Sequence, residues 1–342
     1  MAIRKVRVEE AVGMVLGHDI TKIVPGEYKG PAFKKGHIIQ PADIPFLKNI
    51  GKEHIYLIEL TAGQVHENEA VTRIARAVAG PGLAVCEPSE GRVNLKAAAD
   101  GLLKIDRQRV IAVNTVEHAV LSTLHDNRPV KAGDLVAAVK VVPLVVDEAM
   151  VAAVEKIAAA GPAVIAVRPF RSLKAAAVIT GNEVFYGRIA DKFAPVFTAK
   201  LAACGCELLG IDYQPDDPGR ITAAIQAFVR QGAELVIASG GMSVDPDDVT
   251  PDAIRATGAA VVSYGTPVLP GAMFMLAYLG DTAIMGMPAC GMYAKTTVLD
   301  LILPRVLAGE KLTKADIAAL GYGGLCVSCE SCVWPHCPFG KA

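Results

Sequence analysis

The feature that most constrains this chain is a regular alternation of elements in its second half. "AAAVIT" (175–180) reads as a short buried strand, and "DKFAPVFTAKLAACG" (191–205) places Phe193, Val196, Phe197, Leu201 and Cys204 on one helical face. "CELLGID" (206–212) is the next strand. "DPGRITAAIQAFVRQG" (217–232) follows with Ile221, Ile225, Phe228 and Val229 on one side, and "ELVIAS" (234–239) is the third strand. Thr250, Pro251 and Asp252 then combine a hydroxyl cap, a proline for the first position and an acid for the first turn, so a helix is expected there. Strand, helix, strand, helix, strand at this spacing calls for a parallel sheet. The expected fold is a three-layer α/β domain on a mostly parallel sheet. Composition agrees, because 52% apolar residues with only 5% aromatics means a core of small aliphatic side chains.

Smaller regions precede this domain. Residues 1–65 read as β-rich, with "PAFKKGHII" and "HIYLIEL" as strands and Pro25-Gly26 at a turn. Residues 66–171 form a middle α/β region, in which "HENEAVTRIARAVAG" is a helix closed by Gly80 and "DEAMVAAVEKIAAAG" a helix ended by Gly161. The parallel domain spans 172–309, and 310–342 is a Cys-rich tail. Lys plus Arg total 34 against 35 for Asp plus Glu, a net charge of −1 that gives no footprint for nucleic acid. The uncharged run between Arg255 and Asp281 is broken by Gly258, Gly265, Pro267, Pro270 and Gly271, so it reads as strands and turns rather than a membrane span. The start carries no apolar stretch of signal-peptide length, and a soluble, cytoplasmic protein is expected.

Three loops follow the three strands: Thr180 to Glu183, Asp212 to Asp217, and Gly240 to Asp248. All lie on one rim, where parallel sheets bind ligands. Neither a G-x-x-x-x-G-K-[ST] loop nor a G-x-G-x-x-G turn occurs, which removes P-loop and Rossmann chemistry. No G-x-S-x-G elbow supports a nucleophilic serine. Gly240-Gly241 can still offer backbone N–H groups to an anion, helped by the Ser239 and Ser243 hydroxyls. The plainer reading is a tight turn that needs small residues. Asp245, Asp247 and Asp248 would repel a phosphate unless magnesium stood between them, and Glu183 could share that ion. Asp245 and Asp247 read more simply as helix-capping or solvent-facing.

Five segments, "VITGNEV", "DYQPDDPGRI", "VIASGGMSVDPDDVTPDAI", "PVLPGAM" and "MGMPACGMYA", occur in the order of the molybdopterin-binding fold, which the chain resembles from Ala175 to Gly309. That fold serves molybdenum-inserting enzymes of molybdenum-cofactor synthesis, the adenylylating proteins that precede them, and competence-damage-type nucleotide hydrolases. The resemblance implies a molybdenumtransferase-like protein handling molybdopterin or its adenylylated form, molybdate and magnesium. A non-catalytic carrier or sensor and a nucleotide pyrophosphatase are the alternatives. It assigns ligand contacts to Thr180, Gly181, Ser239, Gly240, Gly241, Ser243, Pro270, Gly271 and Pro288, and the reaction to Asp248 and Glu183. It also implies a homo-oligomer. The inserting branch has aspartate at Asn182 and lysine at Ala272, and the loss of a positive group favours binding over insertion.

The tail reads C-x2-C-x2-C-x4-C-P through Cys326, Cys329, Cys332 and Cys337. Four crowded thiols point to metal, either a 4Fe–4S cluster or zinc, with an unmetallated tail left open. His66 reads as a polar helix start, and His118 and His125 as surface residues.

Overall fold

The computed structural model describes residues 2–24 and 27–341. The Pro25-Gly26 turn lies outside the described residues. Contacts divide the chain into two units. The first takes in the residues up to Ala98, Ile105–Leu124 and Ala132–Ala166; the second takes in Ala99–Lys104, His125–Lys131 and everything from Val167 onward.

In the first unit, Ala2–Arg7 pairs antiparallel with His54–Glu59 and Ile20–Val24 with Tyr28–Phe33. Val6, Val8, Leu16, Ile39, Leu47 and Ile55 close a small core there. A four-stranded antiparallel sheet runs in the order Leu83–Val85, Arg92–Ala97, Leu135–Val141, Ala119–Thr123. The helix Glu67–Val78 buries Ala70, Val71, Ile74, Ala75 and Val78, an apolar stripe at helical spacing. His66 caps it, its ring nitrogen accepting from the Asn68 N–H at 3.1 Å. Arg73 holds Glu148 and Glu155 of the helix Glu148–Ala159 at 2.8 and 2.9 Å.

The second unit carries the expected α/β domain, and its elements are labelled here in chain order. Strand β1 is Lys174–Thr180, followed by the short helix α1 (Asn182–Phe185) and by α2 (Phe193–Ala203). Next come β2 (Glu207–Gln214), α3 (Pro218–Arg230), β3 (Leu235–Ser239) and α4 (Thr250–Ala256). Strands β4 (Ala260–Tyr264), β5 (Met275–Leu279) and β6 (Thr282–Met287) complete the sheet, with α5 (Val298–Leu307) and α6 (Lys314–Ala319) beyond. The strand order is β2-β1-β3-β6-β5-β4. The first three pairings are parallel and the last two antiparallel.

Side-chain alternation explains the three layers. Ala175, Ala177, Ile179, Leu235 and Ile237 face one core with Phe193, Phe197 and Leu201 of α2 and Val298 and Ile302 of α5. Ala176, Val178, Val236 and Ala238 face the other, with Ile221, Ile225 and Phe228 of α3 and Ile254 of α4. Every residue of β3 and β6 is buried, as a sheet covered on both faces requires. The chain leaves β1 to form β2 on one side and returns to form β3 on the other. The switch point therefore falls between β1 and β3, whose ends align as Ile179 opposite Ser239. Among the described residues no helix is long and apolar enough to cross a membrane.

Beyond the sheet, buried Arg305 joins α5 to α6 by pairing with Glu310 at 2.7 Å and Asp316 at 2.8 Å. Asp316 also accepts from the Thr313 hydroxyl at 2.6 Å and the Thr313 N–H at 2.9 Å. These bonds, with the Arg305 guanidinium, hold its carboxyl down at about 2. A depressed folded pKa gives stability that is present above the unfolded value and lost as pH falls through the folded one. Asp316→Asn should thus lower the unfolding free energy from urea denaturation at pH 7 by up to about 1 kcal/mol for the weakened cap. The deficit should shrink below about pH 4 and vanish only once the pH is below about 2. A deficit that persists unchanged at the acid end would contradict this account.

Candidate ligand-binding site

At the end of β3 the backbone turns through two left-handed residues, Gly240 at φ +96° and Gly241 at φ +53°. A Cβ on Gly240 would lie 2.1 Å from the Thr180 carbonyl oxygen and 2.6 Å from its hydroxyl, so glycine is needed for the ends of β1 and β3 to meet. At Gly241 the nearest atom to a Cβ would be the Thr250 hydroxyl at 3.2 Å. The turn is closed by the Thr250 N–H donating to the Gly241 carbonyl at 3.2 Å. Here the structure corrects one expectation. Thr250 is the first residue of α4 and does not cap it; Val249 precedes it without a side-chain cap. Its hydroxyl instead reaches the buried Thr180 hydroxyl at 3.0 Å, tying α4 to β1 beneath the turn.

A cavity of about 870 Å³ opens over this turn. Of the residues expected in a site, Thr180, Gly240, Gly241 and Ser243 line it, together with Pro270, Gly271 and Pro288 from the loops beyond β4 and β6. Glu183 and Asp248 line it too. Gly181 instead lines a neighbouring recess of about 570 Å³, with Asp216 and Asp247. Ser239 lines neither: it is fully buried, and its hydroxyl finds no partner among the described residues. Sequence reasoning missed Asp191, Lys192 and Phe193, which also line the large cavity, because no motif marks the approach to α2. It also treated Asp216 only as part of a loop.

The rim is electrically negative. Burial raises the Asp216 carboxyl above the usual carboxylate range, and Glu183, Asp247 and Asp248 push it the same way. The opposing influence is the Asn182 N–H, which donates to Asp216 at 2.9 Å. Asp248 accepts from the Asp245 N–H at 3.2 Å. Among the described residues, however, no three His, Cys, Asp or Glu side chains are gathered so as to hold a metal ion. The acids face shared space without forming a coordination sphere of their own.

The same holds for the tail. Cys326, Cys329, Cys332 and Cys337 are all free thiols and line one cavity of about 710 Å³. The Thr296 hydroxyl lies 3.1 Å from the Cys332 sulfur and lowers that thiol's pKa, with help from the Trp334 N–H. The expected metal ligands share a cavity but do not converge as a ligand set.

Together these features define a doubly wound α/β domain whose ligand cavity opens at the switch point. Residues 176–308 match the family described as "Probable molybdopterin binding domain", and this part of the chain has the molybdopterin-binding fold. Residues 5–59 match a family described as "Domain of unknown function (DUF8806)". A CinA-like protein from Mycobacterium tuberculosis is 36% identical over 83 residues, which are 24% of this chain and 19% of that protein. A molybdopterin molybdenumtransferase from Synechococcus elongatus is 27% identical over 129 residues, 35% of this chain and 32% of that protein. This chain thus spans about a fifth and a third of those two relatives. The molybdopterin biosynthesis enzyme MoaB from Thermus thermophilus aligns with 40% of this chain and 98% of its own, at 20% identity and a TM-score of 0.34.

The geometry of the turn makes a ranked prediction. Gly240→Ala brings both a clash and a disfavoured φ, and should cost roughly 2–3 kcal/mol of stability. Gly241→Ala, in the ordinary left-handed region, should cost about 1 kcal/mol. Chemical denaturation of both variants checks the order, and the reverse order would contradict the packing described.

Proposed function

We propose that this domain binds molybdopterin or its adenylylated form as a step of molybdenum-cofactor synthesis. The observation that carries this reading is the Gly240-Gly241 turn at the switch point, opening onto a cavity of about 870 Å³. The cavity lining includes the turn's backbone and the Thr180 and Ser243 side chains. It also includes the apolar Leu269, Met273, Met292 and Tyr293, which suit a flat heteroaromatic head. The phosphate would be received at the turn.

Asp248 and Glu183 are the residues placed to act on that phosphate. With no preformed sphere, magnesium would arrive with the ligand, whose phosphate oxygens supply the missing donors. When bound, the ion would screen the phosphate from the surrounding carboxylates. Asp216, whose carboxyl is raised first by burial and then by Glu183, Asp247 and Asp248, adds to the negative charge such an ion would meet. Transfer of molybdate to the ligand is the finer proposal. Ala272 provides no cation where the inserting enzymes carry lysine, so binding without insertion, as a carrier, remains the natural alternative within the same site.

A second reading has its own support: the 36% identity with a CinA-like protein favours a nucleotide pyrophosphatase of the competence-damage type. For the tail, we propose a thiophilic centre, a 4Fe–4S cluster or zinc, on the spacing of its thiols and their common cavity. Iron, sulfide and zinc analysis of anaerobically purified protein tests that separately.

Calorimetric titration with molybdopterin, with and without magnesium, tests the main reading. The wild type should bind at least tenfold more tightly with magnesium. Asp248→Asn should bind without that gain, because one anionic ligand to the ion is gone. Hydrolysis of ADP-ribose with no binding of molybdopterin would transfer the case to the pyrophosphatase reading.

A further inference from the structure

Among the described residues lining the large cavity, four are acidic, Glu183, Asp191, Asp245 and Asp248, and one, Lys192, is basic. An anion entering such a space is repelled unless a positive group meets it. Three arginines of the same domain, Arg188, Arg220 and Arg255, are already engaged. Arg188 lies over the Tyr186 ring at 5.4 Å. Arg220 lies 4.8 Å from the Phe185 ring centroid and donates to Gln214 at 3.1 Å. Arg255 pairs with Asp252 at 2.7 Å and lies over Tyr264.

Lys192 differs from all of these. It is exposed and makes no hydrogen bond or ion pair with the described residues. Its neighbour Asp191 makes no ion pair with it and is held by other groups. The Asp191 carboxylate accepts from the Phe193 N–H at 2.7 Å, from the Ala194 N–H at 3.0 Å and from the Tyr213 hydroxyl at 3.1 Å. Phe193, on the other side, is buried in the core under α2. The backbone of Lys192 is thus clamped on both sides while its four-carbon stem stays free to swing. An uncommitted cation on a fixed stalk at the mouth of an acidic cavity is positioned to receive an anion.

We propose that Lys192 is the cationic anchor of this site, holding the phosphate or pyrophosphate group of the ligand together with the glycine turn that lines the same cavity. The inference rests on the reading that the cavity takes a phosphate-bearing ligand, but it names the group that makes binding possible in so negative a place. Lysine serves as a point charge here, so arginine can stand in for it and a neutral chain of equal length cannot.

Two measurements on the full chain test this. Amine labelling of Lys192, read by peptide mass with Lys174 as the reference, should slow several-fold in inorganic pyrophosphate plus magnesium. Calorimetry should show Lys192→Met binding pyrophosphate and molybdopterin about 10- to 100-fold more weakly, with a flatter dependence on salt. Lys192→Arg should retain most of the affinity. Because Lys192 is exposed, neither variant should lose its fold, and an unchanged urea midpoint confirms it. Pyrophosphate that binds without protecting Lys192, or a methionine variant that binds as well as wild type, overturns the proposal. If pyrophosphate binds through Lys192 and molybdopterin does not bind, the anchor stands and the molybdopterin reading falls. If wild type binds neither, both fall.

Discussion

The end of β1 and the end of β3 meet with no room for a side chain between them. The Thr180 carbonyl would stand 2.1 Å from any Cβ on Gly240, and the rest of the rim follows from that contact. Because the strands stay paired to Ile179 and Ser239, the chain must leave both ends abruptly. It does so at Gly181, with φ +137°, and at the Gly240-Gly241 pair. The loops that depart carry Glu183 and Asp248 to the same cavity wall. The Thr180–Thr250 hydroxyl pair then fixes where α4 starts relative to β1. A single close approach of two backbones thereby sets the positions of the glycine turn, both candidate acids and the helix behind them.

Charge sets the second condition. Carboxylates from three loops surround the rim, and Asp216 is raised chiefly by burial and further by the repulsion of Glu183, Asp247 and Asp248. Such an arrangement is poorly suited to a bare anion and well suited to an anion that brings a cation, or that meets a lysine on arrival. Preorganisation here lies in the backbone, which shapes the turn and holds the Asp216 and Asp248 carboxylates through N–H groups.

The parallel sheet and its three layers were legible because every determinant is local or periodic. Buried runs such as "LVIAS" and the stripes of α2 and α3 state which faces are covered. The cavity-lining loops were legible as far as strand ends predict them. Three features were not. Thr250 carries all the marks of a cap, yet its hydroxyl serves a partner seventy residues upstream, a choice that only tertiary packing makes. Ser239 looks like a ligand donor, but as the last residue of a fully buried strand it turns into the core side instead. Lys192 belongs to no motif, and its value depends on what the arginines around it are doing. Local chemistry names the candidates; competition for partners decides among them.

The tail is bound into the same wall. Leu269 donates to the Gly324 carbonyl at 2.9 Å and accepts from the Cys326 N–H at 2.8 Å, so the segment that opens the thiol-lined stretch is paired like a strand to the loop before Pro270. Leu269, Pro270 and Tyr293 line both the ligand cavity and the cavity of the four thiols. Farther along, Phe339 is buried in the core that α2 and α5 share. These anchors leave Cys329 and Cys332 exposed while the chain on either side is held. A ligand that displaces the Leu269–Pro270 loop must therefore strain two backbone hydrogen bonds to the tail, and whatever orders the thiols acts on that loop through the same two bonds. In physical terms the tail braces the Leu269–Pro270 stretch of the cavity lining, and the order of its cysteines is coupled to that stretch through the backbone.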